Sequence, residues 1–189
     1  DSGTDDDDIT SATTPTISGT AEAGSTVELT SSINGSVLTT TADGLDDWSL
    51  ATDTLSEGIH SLTATATDAA GNASVASAAL TVTIDTTAPT VTVDSLITND
   101  NRPALSGTIN DPTASVSVAV DGQTLVATNN GTTWTLADDA LTTLADLPAG
   151  YDVLVTATDV AGNDADDTTN NELVIDTAAP PAPSVPDLA

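Results

Sequence analysis

Apolar and polar positions alternate with a period of two along much of this chain. Val116, Val118 and Val120 are separated by Ser117 and Ala119, and Leu62, Ala64 and Ala66 by Thr63 and Thr65. Successive side chains of a strand point to opposite faces, so this alternation marks strands with one buried face. No stretch has a comparable helical period. Between the alternating runs stand Asn34-Gly35, Asp43-Gly44, Asp121-Gly122 and Asn130-Gly131, dipeptides that tolerate the positive φ of tight hairpins. The pattern predicts an all-β chain.

The pattern comes twice. TDAAGN at Thr67 to Asn72 returns as TDVAGN at Thr158 to Asn163, and IDTTAP at Ile84 to Pro89 returns as IDTAAP at Ile175 to Pro180, both 91 residues on. PTISGT (Pro15 to Thr20) matches PALSGT (Pro103 to Thr108), Trp48-Ser49-Leu50 matches Trp134-Thr135-Leu136, and Val82 and Ile84 match Leu173 and Ile175. Echoes in a fixed order are the mark of a tandem repeat. About seven short strands per copy, with turns roughly every 8 to 12 residues, predict two Greek-key β-sandwiches.

The expected modules are residues 1–85 and 86–176, with 177–189 a Pro-rich linker or the start of a further module. In the second copy the spacing predicts strand A near Thr90 to Asp94, B near Ala104 to Ile109, C near Ser115 to Asp121 and C′ near Thr124 to Thr128. E follows near Thr132 to Ala137, F near Tyr151 to Asp159 and G near Glu172 to Asp176. The first copy lacks a clear strand A, because its opening, DSGTDDDDIT, reads as a truncated linker or a solvated acidic tail. Asp85 to Pro89 is a short junction stiffened by proline. A start at Asp1 without Met reads as a segment excised from a longer protein.

Composition narrows the function. The 29 acidic residues, 25 of them Asp, face a single basic one, Arg102, for a formal net charge of −28. Binding to nucleic acid or to anionic membrane surfaces needs Lys and Arg, so neither partner is expected. Asp suits turns through bonds to its own nearby backbone. Unpaired carboxylates repel one another unless salt or bound cations intervene. The apolar set has no Phe, no Met and no Cys; such small side chains bury little area at about 25 cal/mol per Å2, and no disulfide can help. A divalent cation could take that role. No apolar run reaches the roughly 18 residues of a membrane span.

At GTAEAGSTV (Gly19 to Val27), the Trp-Ser-Leu strand, the ATDxAGN loop and the IDTxAP junction, the chain resembles the bacterial Ig-like repeats of very large RTX adhesins exported by type I secretion. These pieces cover most of both copies. The resemblance implies tandem Ig-like sandwiches acting as extender modules on the bacterial cell surface and in biofilms. In that family, calcium at the junctions stiffens a stalk carrying a distal ligand-binding domain. The partners it implies are adjacent repeats, and the excised pair is expected to be a monomer.

In an Ig-like sandwich the BC and FG loops lie at the pole where strand A enters. Asp85 at the end of one strand G, Asp111 in the BC loop and Asp159 entering the FG loop are therefore expected to meet at the junction, with the Thr87 carbonyl and with Asn163 supporting the loop. Calcium takes six to eight oxygens in irregular geometry, whereas magnesium demands an octahedron, and zinc or copper would call for His and Cys. The matching positions in the first copy are Glu22 and Asp68, with the Asp5 to Asp8 run as a possible third donor, and Asp176 would serve the next module. A weaker second site could use Asp100 or Asp146.

Each of these acids has a plainer reading as a turn former, and AGN after Asp as a tight loop in which Gly162 and Asn163 take positive φ. Asp138, Asp139, Asp146, Asp166 and Asp167 read as solvated surface. Trp48 and Trp134 read as core plugs rather than sugar platforms, Tyr151 as a strand residue with its hydroxyl at the rim, and His60, aligned with Asp152, as an exposed strand residue. Asn34, Asn72 and Asn130 fit the glycosylation pattern but are explained by turns. Nucleophile and metalloprotease motifs are absent, as is an EF-hand loop, so an enzyme is not expected. The remaining alternatives are a ligand-binding adhesin module and an acidic, salt-adapted module without a specific metal.

Overall fold

In this computed structural model, residues 3, 7–33 and 35–184 are described. Asp5 and Asp6 of the acidic run, Asn34 and the last five residues lie outside them. Sixteen strands and no helix occur among the described residues. They are β1 (Ile9–Thr10), β2 (Thr16–Thr20), β3 (Thr26–Ser31), β4 (Val37–Thr41), β5 (Asp47–Ala51), β6 (Gly58–Thr67), β7 (Leu80–Ile84) and β8 (Leu96–Thr98), then β9 (Leu105–Thr108), β10 (Ser115–Val120), β11 (Gln123–Asn129), β12 (Thr133–Leu136), β13 (Leu147–Tyr151), β14 (Leu154–Thr158), β15 (Asp164–Asp166) and β16 (Leu173–Ile175). The chain forms two compact units: Asp1–Ala88 with Asp159–Asn163, and Pro89–Thr158 with Asp164–Ala189.

The first unit has a five-stranded sheet in the order β1-β7-β6-β3-β4 and a two-stranded sheet β2-β5. Their inner faces bury Ile17, Val27, Leu29, Trp48, Leu62 and Ile84. The acidic opening proves to hold a strand. Ile9 and Thr10 run parallel to Thr83 and Ile84, in a stretch too short for alternation to reveal.

The second unit has a six-stranded sheet in the order β15-β14-β10-β11-β12-β9 and a three-stranded sheet β13-β16-β8. Its core gathers Val116, Val118, Val120, Leu136, Val155 and Ile175 around Trp134. Both tryptophans are buried, as a core role requires: Trp134 is 0% and Trp48 8% exposed. The hairpin β10-β11 closes on Asp121 (φ 48) and Gly122 (φ 74), as their dipeptide predicts. Asp43-Gly44 behaves differently: the Asp43 carboxylate accepts the N–H groups of Leu45 and Asp47, and Asp46 is the residue of positive φ.

Expected strands A and F are each divided. In strand A, Thr92 and Asp94 donate to the carbonyls of Thr108 and Ser106, after which β8 crosses to run parallel with β16. Strand F breaks between β13 and β14, where the Val153 N–H turns aside to the buried carboxylate of Glu172 at 3.0 Å. A side-chain acceptor replaces a rung of the ladder there, which a hydropathy pattern cannot announce.

Candidate functional site

The two Asp-x-x-Gly-Asn loops fold alike. Asp68 N–H donates to the Asn72 carbonyl at 3.0 Å and Asp159 N–H to that of Asn163 at 3.1 Å; Gly71 and Gly162 donate back to the carbonyls of Asp68 and Asp159. The carboxylate accepts the backbone N–H of the Asn through Oδ1, at 2.8 Å in both copies. Its Oδ2 accepts the Asn Nδ2, at 2.7 Å for Asp68 and 2.8 Å for Asp159. The left-handed position belongs to glycine alone, Gly71 at φ 87 and Gly162 at φ 83; Asn163 is not among the residues of positive φ. Bonds from the Asn72 side chain first, then from its backbone N–H, hold Asp68 below the usual carboxylate range.

The copies differ in surroundings. Asp159 is 7% exposed, so its charge is buried and satisfied by the turn itself. The Asn163 amide also donates to the Asp85 carbonyl at 2.9 Å, which uses both of its N–H groups. Asp85, Asp159 and Asn163 thus share one compact unit.

The junctions repeat a second device. Asp85 Oδ1 accepts the Thr87 N–H and Asp176 Oδ1 the Ala178 N–H, each at 3.0 Å. Glu57, which the sequence reading leaves aside, accepts the hydroxyls of Thr86 at 2.8 Å and Thr87 at 2.9 Å. These bonds lower its pKa, that from Thr86 most. In the second unit Asp146 accepts the N–H and hydroxyl of Thr177 at 3.0 and 2.9 Å. The repeated Thr of the junction motif is the signal that could have found Glu57 and placed Asp146 at the junction: each strand G leaves its sheet with that threonine tethered.

Of the other expected donors, Asp111 caps its own turn through Thr113 N–H and hydroxyl, both at 2.7 Å. The Glu22 carbonyl accepts the Ser25 N–H at 2.9 Å, and Asp100 accepts the Arg102 N–H at 2.9 Å. Asp139 forms an ion pair with Arg102 at 2.9 Å. Among the described residues no group of three or more His, Cys, Asp or Glu side chains is gathered to hold a metal ion. The donors suit a hard cation in kind, being carboxylate, amide and backbone oxygen. Each turn leaves its carboxylate further accepting capacity.

His60 corrects its expectation. It is 0% exposed, and Nε2 lies 2.8 Å from the Ser56 carbonyl. His60 pairs with Val82 and Tyr151 with Leu173, so its counterpart is Tyr151 rather than Asp152. The Tyr151 hydroxyl donates to the Ala145 carbonyl at 3.1 Å and accepts the Ala145 N–H at 3.0 Å, the corner that pins the start of strand F in Ig-like sandwiches. In the first unit an imidazole fills that corner.

Tandem all-β sandwiches with echoed acidic loops define an Ig-like repeat protein. A family model described as "Bacterial Ig-like domain" matches residues 1–86 and 90–177, and one of its group 3 matches 46–130; the chain belongs to the bacterial Ig-like domain family. No curated protein matches it. Among solved structures it is similar to a "Ca2+-stabilized adhesin" of an Antarctic bacterium that binds ice, with 27% identity, TM-score 0.48, and coverage of 94% of this chain and 48% of that one. It is also similar to a "tetra-tandem repeat in extending region of large adhesion protein", with 28% identity, TM-score 0.40, and coverage of 89% and 47%. The fibronectin(III)-like modules of Clostridium thermocellum CbhA share the fold at 16% identity and TM-score 0.51, covering 88% of this chain and 87% of theirs. The chain spans about half the length of the first two.

Proposed function

We propose that this pair of modules is a structural extender of a bacterial surface adhesin, stiffened by calcium at its junctions. The carrying observation is the doubled device of Asx loop and tethered junction, with Asn163 bonded to the Asp85 carbonyl at 2.9 Å. Such a device serves a spacer, because it fixes how the chain leaves one strand G. The descriptions of the similar adhesins belong to those proteins; for this chain the reading rests on its own residues and on the motifs that resemble RTX adhesin repeats.

In this reading Asp85, Asp111 and Asp159 supply carboxylate oxygens, Thr87 a carbonyl, and Asn163 positions the loop. Glu22 and Asp68 take the corresponding places for a preceding junction and Asp176 for a following one. Bound calcium would neutralise part of an acidic surface and offer oxygen-seeking charge to several segments at once. A cation that binds only the docked arrangement favours it by RT ln(1 + [Ca2+]/Kd). Calcium-rich surroundings outside the cell then favour rigidity, and a calcium-poor cytoplasm leaves the chain loose for type I export. The partners are neighbouring repeats, the pair by itself is a monomer, and no catalysis is assigned.

Small-angle scattering of the 189-residue chain in EDTA and in about 1 to 5 mM Ca2+, matched to the weak affinities of extracellular modules, tests this reading. The particle should lengthen and its profile sharpen with calcium, and the paired change Asp85→Asn, Asp159→Asn should remove that response while both units stay folded. An unchanged profile sinks the proposal. A response to NaCl as large as that to calcium transfers the argument to an acidic, salt-adapted spacer.

A further inference from the structure

Asparagine followed by glycine is open to attack on its own side chain, because glycine lets the next backbone nitrogen swing toward the carboxamide. The chain has two such pairs, Asn34-Gly35 and Asn130-Gly131. Only the second has both members among the described residues. It forms the turn between β11 and β12, where the Asn130 N–H donates to the Thr133 carbonyl at 2.8 Å and Gly131 takes φ 98. Asn130 is exposed. Its Nδ2 reaches the Thr128 carbonyl at 3.5 Å and the Thr135 hydroxyl at 3.3 Å, both long for hydrogen bonds, so the carboxamide is loosely held. Asn72 and Asn163, by contrast, commit Nδ2 to carboxylates at 2.7 and 2.8 Å, and neither precedes a glycine.

The preceding residue, Asn129, ends β11 half-buried and is engaged at both ends of its amide. Its Nδ2 donates to the carbonyls of Asp111 and Ala114, each at 2.8 Å. Its Oδ1 accepts the Gly131 N–H at 2.9 Å. Reversing the amide would set its oxygen against two carbonyls and its NH2 against an N–H, so the network fixes which end faces the turn. The loop that carries Asp111 thereby aims an acceptor at Gly131. The nitrogen that would attack Asn130 is the one Asn129 holds.

We propose that Asn130 is a site of spontaneous deamidation and that Asn129 is the residue that slows it. Hydroxide takes the proton of the Gly131 nitrogen, which then attacks Asn130 Cγ; a C–N bond forms, ammonia leaves with a proton from water, and a cyclic succinimide results. Water opens that ring at either carbonyl, giving aspartate or isoaspartate at position 130. The balance is one water consumed and one ammonia released, with no oxidant and no metal. Donation to Asn129 Oδ1 opposes the first step twice: it keeps the proton on the nitrogen and keeps the nitrogen turned away from Cγ. Losing one neutral hydrogen bond of this kind should speed the attack about two- to tenfold. Each event adds a negative charge to a chain already at −28, and the isoaspartate form also lengthens the hairpin backbone by a methylene.

The test incubates the whole chain in mildly alkaline buffer and follows Asn130 by mass-spectrometric peptide mapping, which reads the exchange of amide for acid and separates aspartate from isoaspartate. A capped peptide with the sequence of Thr128 to Thr133 gives the unprotected rate. The wild-type chain should convert more slowly than the peptide, and Asn129→Ala should move the rate toward that of the peptide, with circular dichroism still that of the folded chain. Leu136→Ala serves as comparator, because it weakens the core of the same unit and leaves Asn129 in place; at a matched loss of stability it should accelerate Asn130 clearly less. Equal rates in the wild type and Asn129→Ala overturn the role of Asn129, as does an equal acceleration by Leu136→Ala. An Asn130 that stays intact in Asn129→Ala while the peptide is fully converted overturns the site itself.

Discussion

At the scale of single residues, the first unit's one histidine does the work of a tyrosine. His60 is buried in phase with Val82, and its exposed neighbour Ile59 shows that hydropathy alone would have turned the strand the other way. Inside, the imidazole places Nε2 2.8 Å from the Ser56 carbonyl. Each corner bond carries about 1 kcal/mol; His60→Leu should therefore lower the stability of the first unit by about 1 to 2 kcal/mol and Tyr151→Phe that of the second by a similar amount, read by chemical denaturation. Asp68 yields a pH prediction. Its folded-state pKa is depressed by bonds that only the ionised form accepts fully, so its contribution is present above the ordinary carboxylate value, about 3.9 for Asp, and is lost as pH falls through the lower folded value. Asp68→Asn should flatten the acid limb of the first unit's unfolding curve, and an identical limb in the variant would assign it to other carboxylates.

At the scale of elements, β9 is constrained by the backbone of Thr92 to Asp94 that runs beside it. Gly107 is required by backbone, since a Cβ would meet the Thr92 carbonyl at 1.9 Å and Trp134 Nε1 at 2.6 Å, while the atoms nearest a Cβ at Gly19 are those of the Trp48 ring, at 2.9 Å. A ring can tilt and a paired strand cannot follow it. Gly107→Ala should consequently destabilise its unit by about 2 kcal/mol or more, and Gly19→Ala its own by clearly less, in paired thermal melts. β6 and β10 were legible because small polar and apolar residues alternate over five or more positions. The exceptions are instructive: β1 has two residues, and β13 and β14 are parted by the Val153 bond to Glu172.

At the scale of the whole molecule, the proposed extender role turns on the tandem organisation. If the calcium reading holds, chelation should loosen the pair without melting either sandwich, since each unit has its own apolar core. Calorimetry with and without EDTA checks this: two transitions should persist in EDTA, and loss of a sandwich on chelation would make the metal a folding cofactor instead.

The amino-acid sequence by itself determined the all-β class, the two copies, the buried tryptophans and the acidic loops, because these follow from local periodicity, turn chemistry and repetition. Tertiary structure decided which acids serve the junction threonines and that an imidazole in one sandwich and a phenol in the other fill the same corner. Those are matters of register and of what faces across the core, and a chain carries them only through partners distant in sequence.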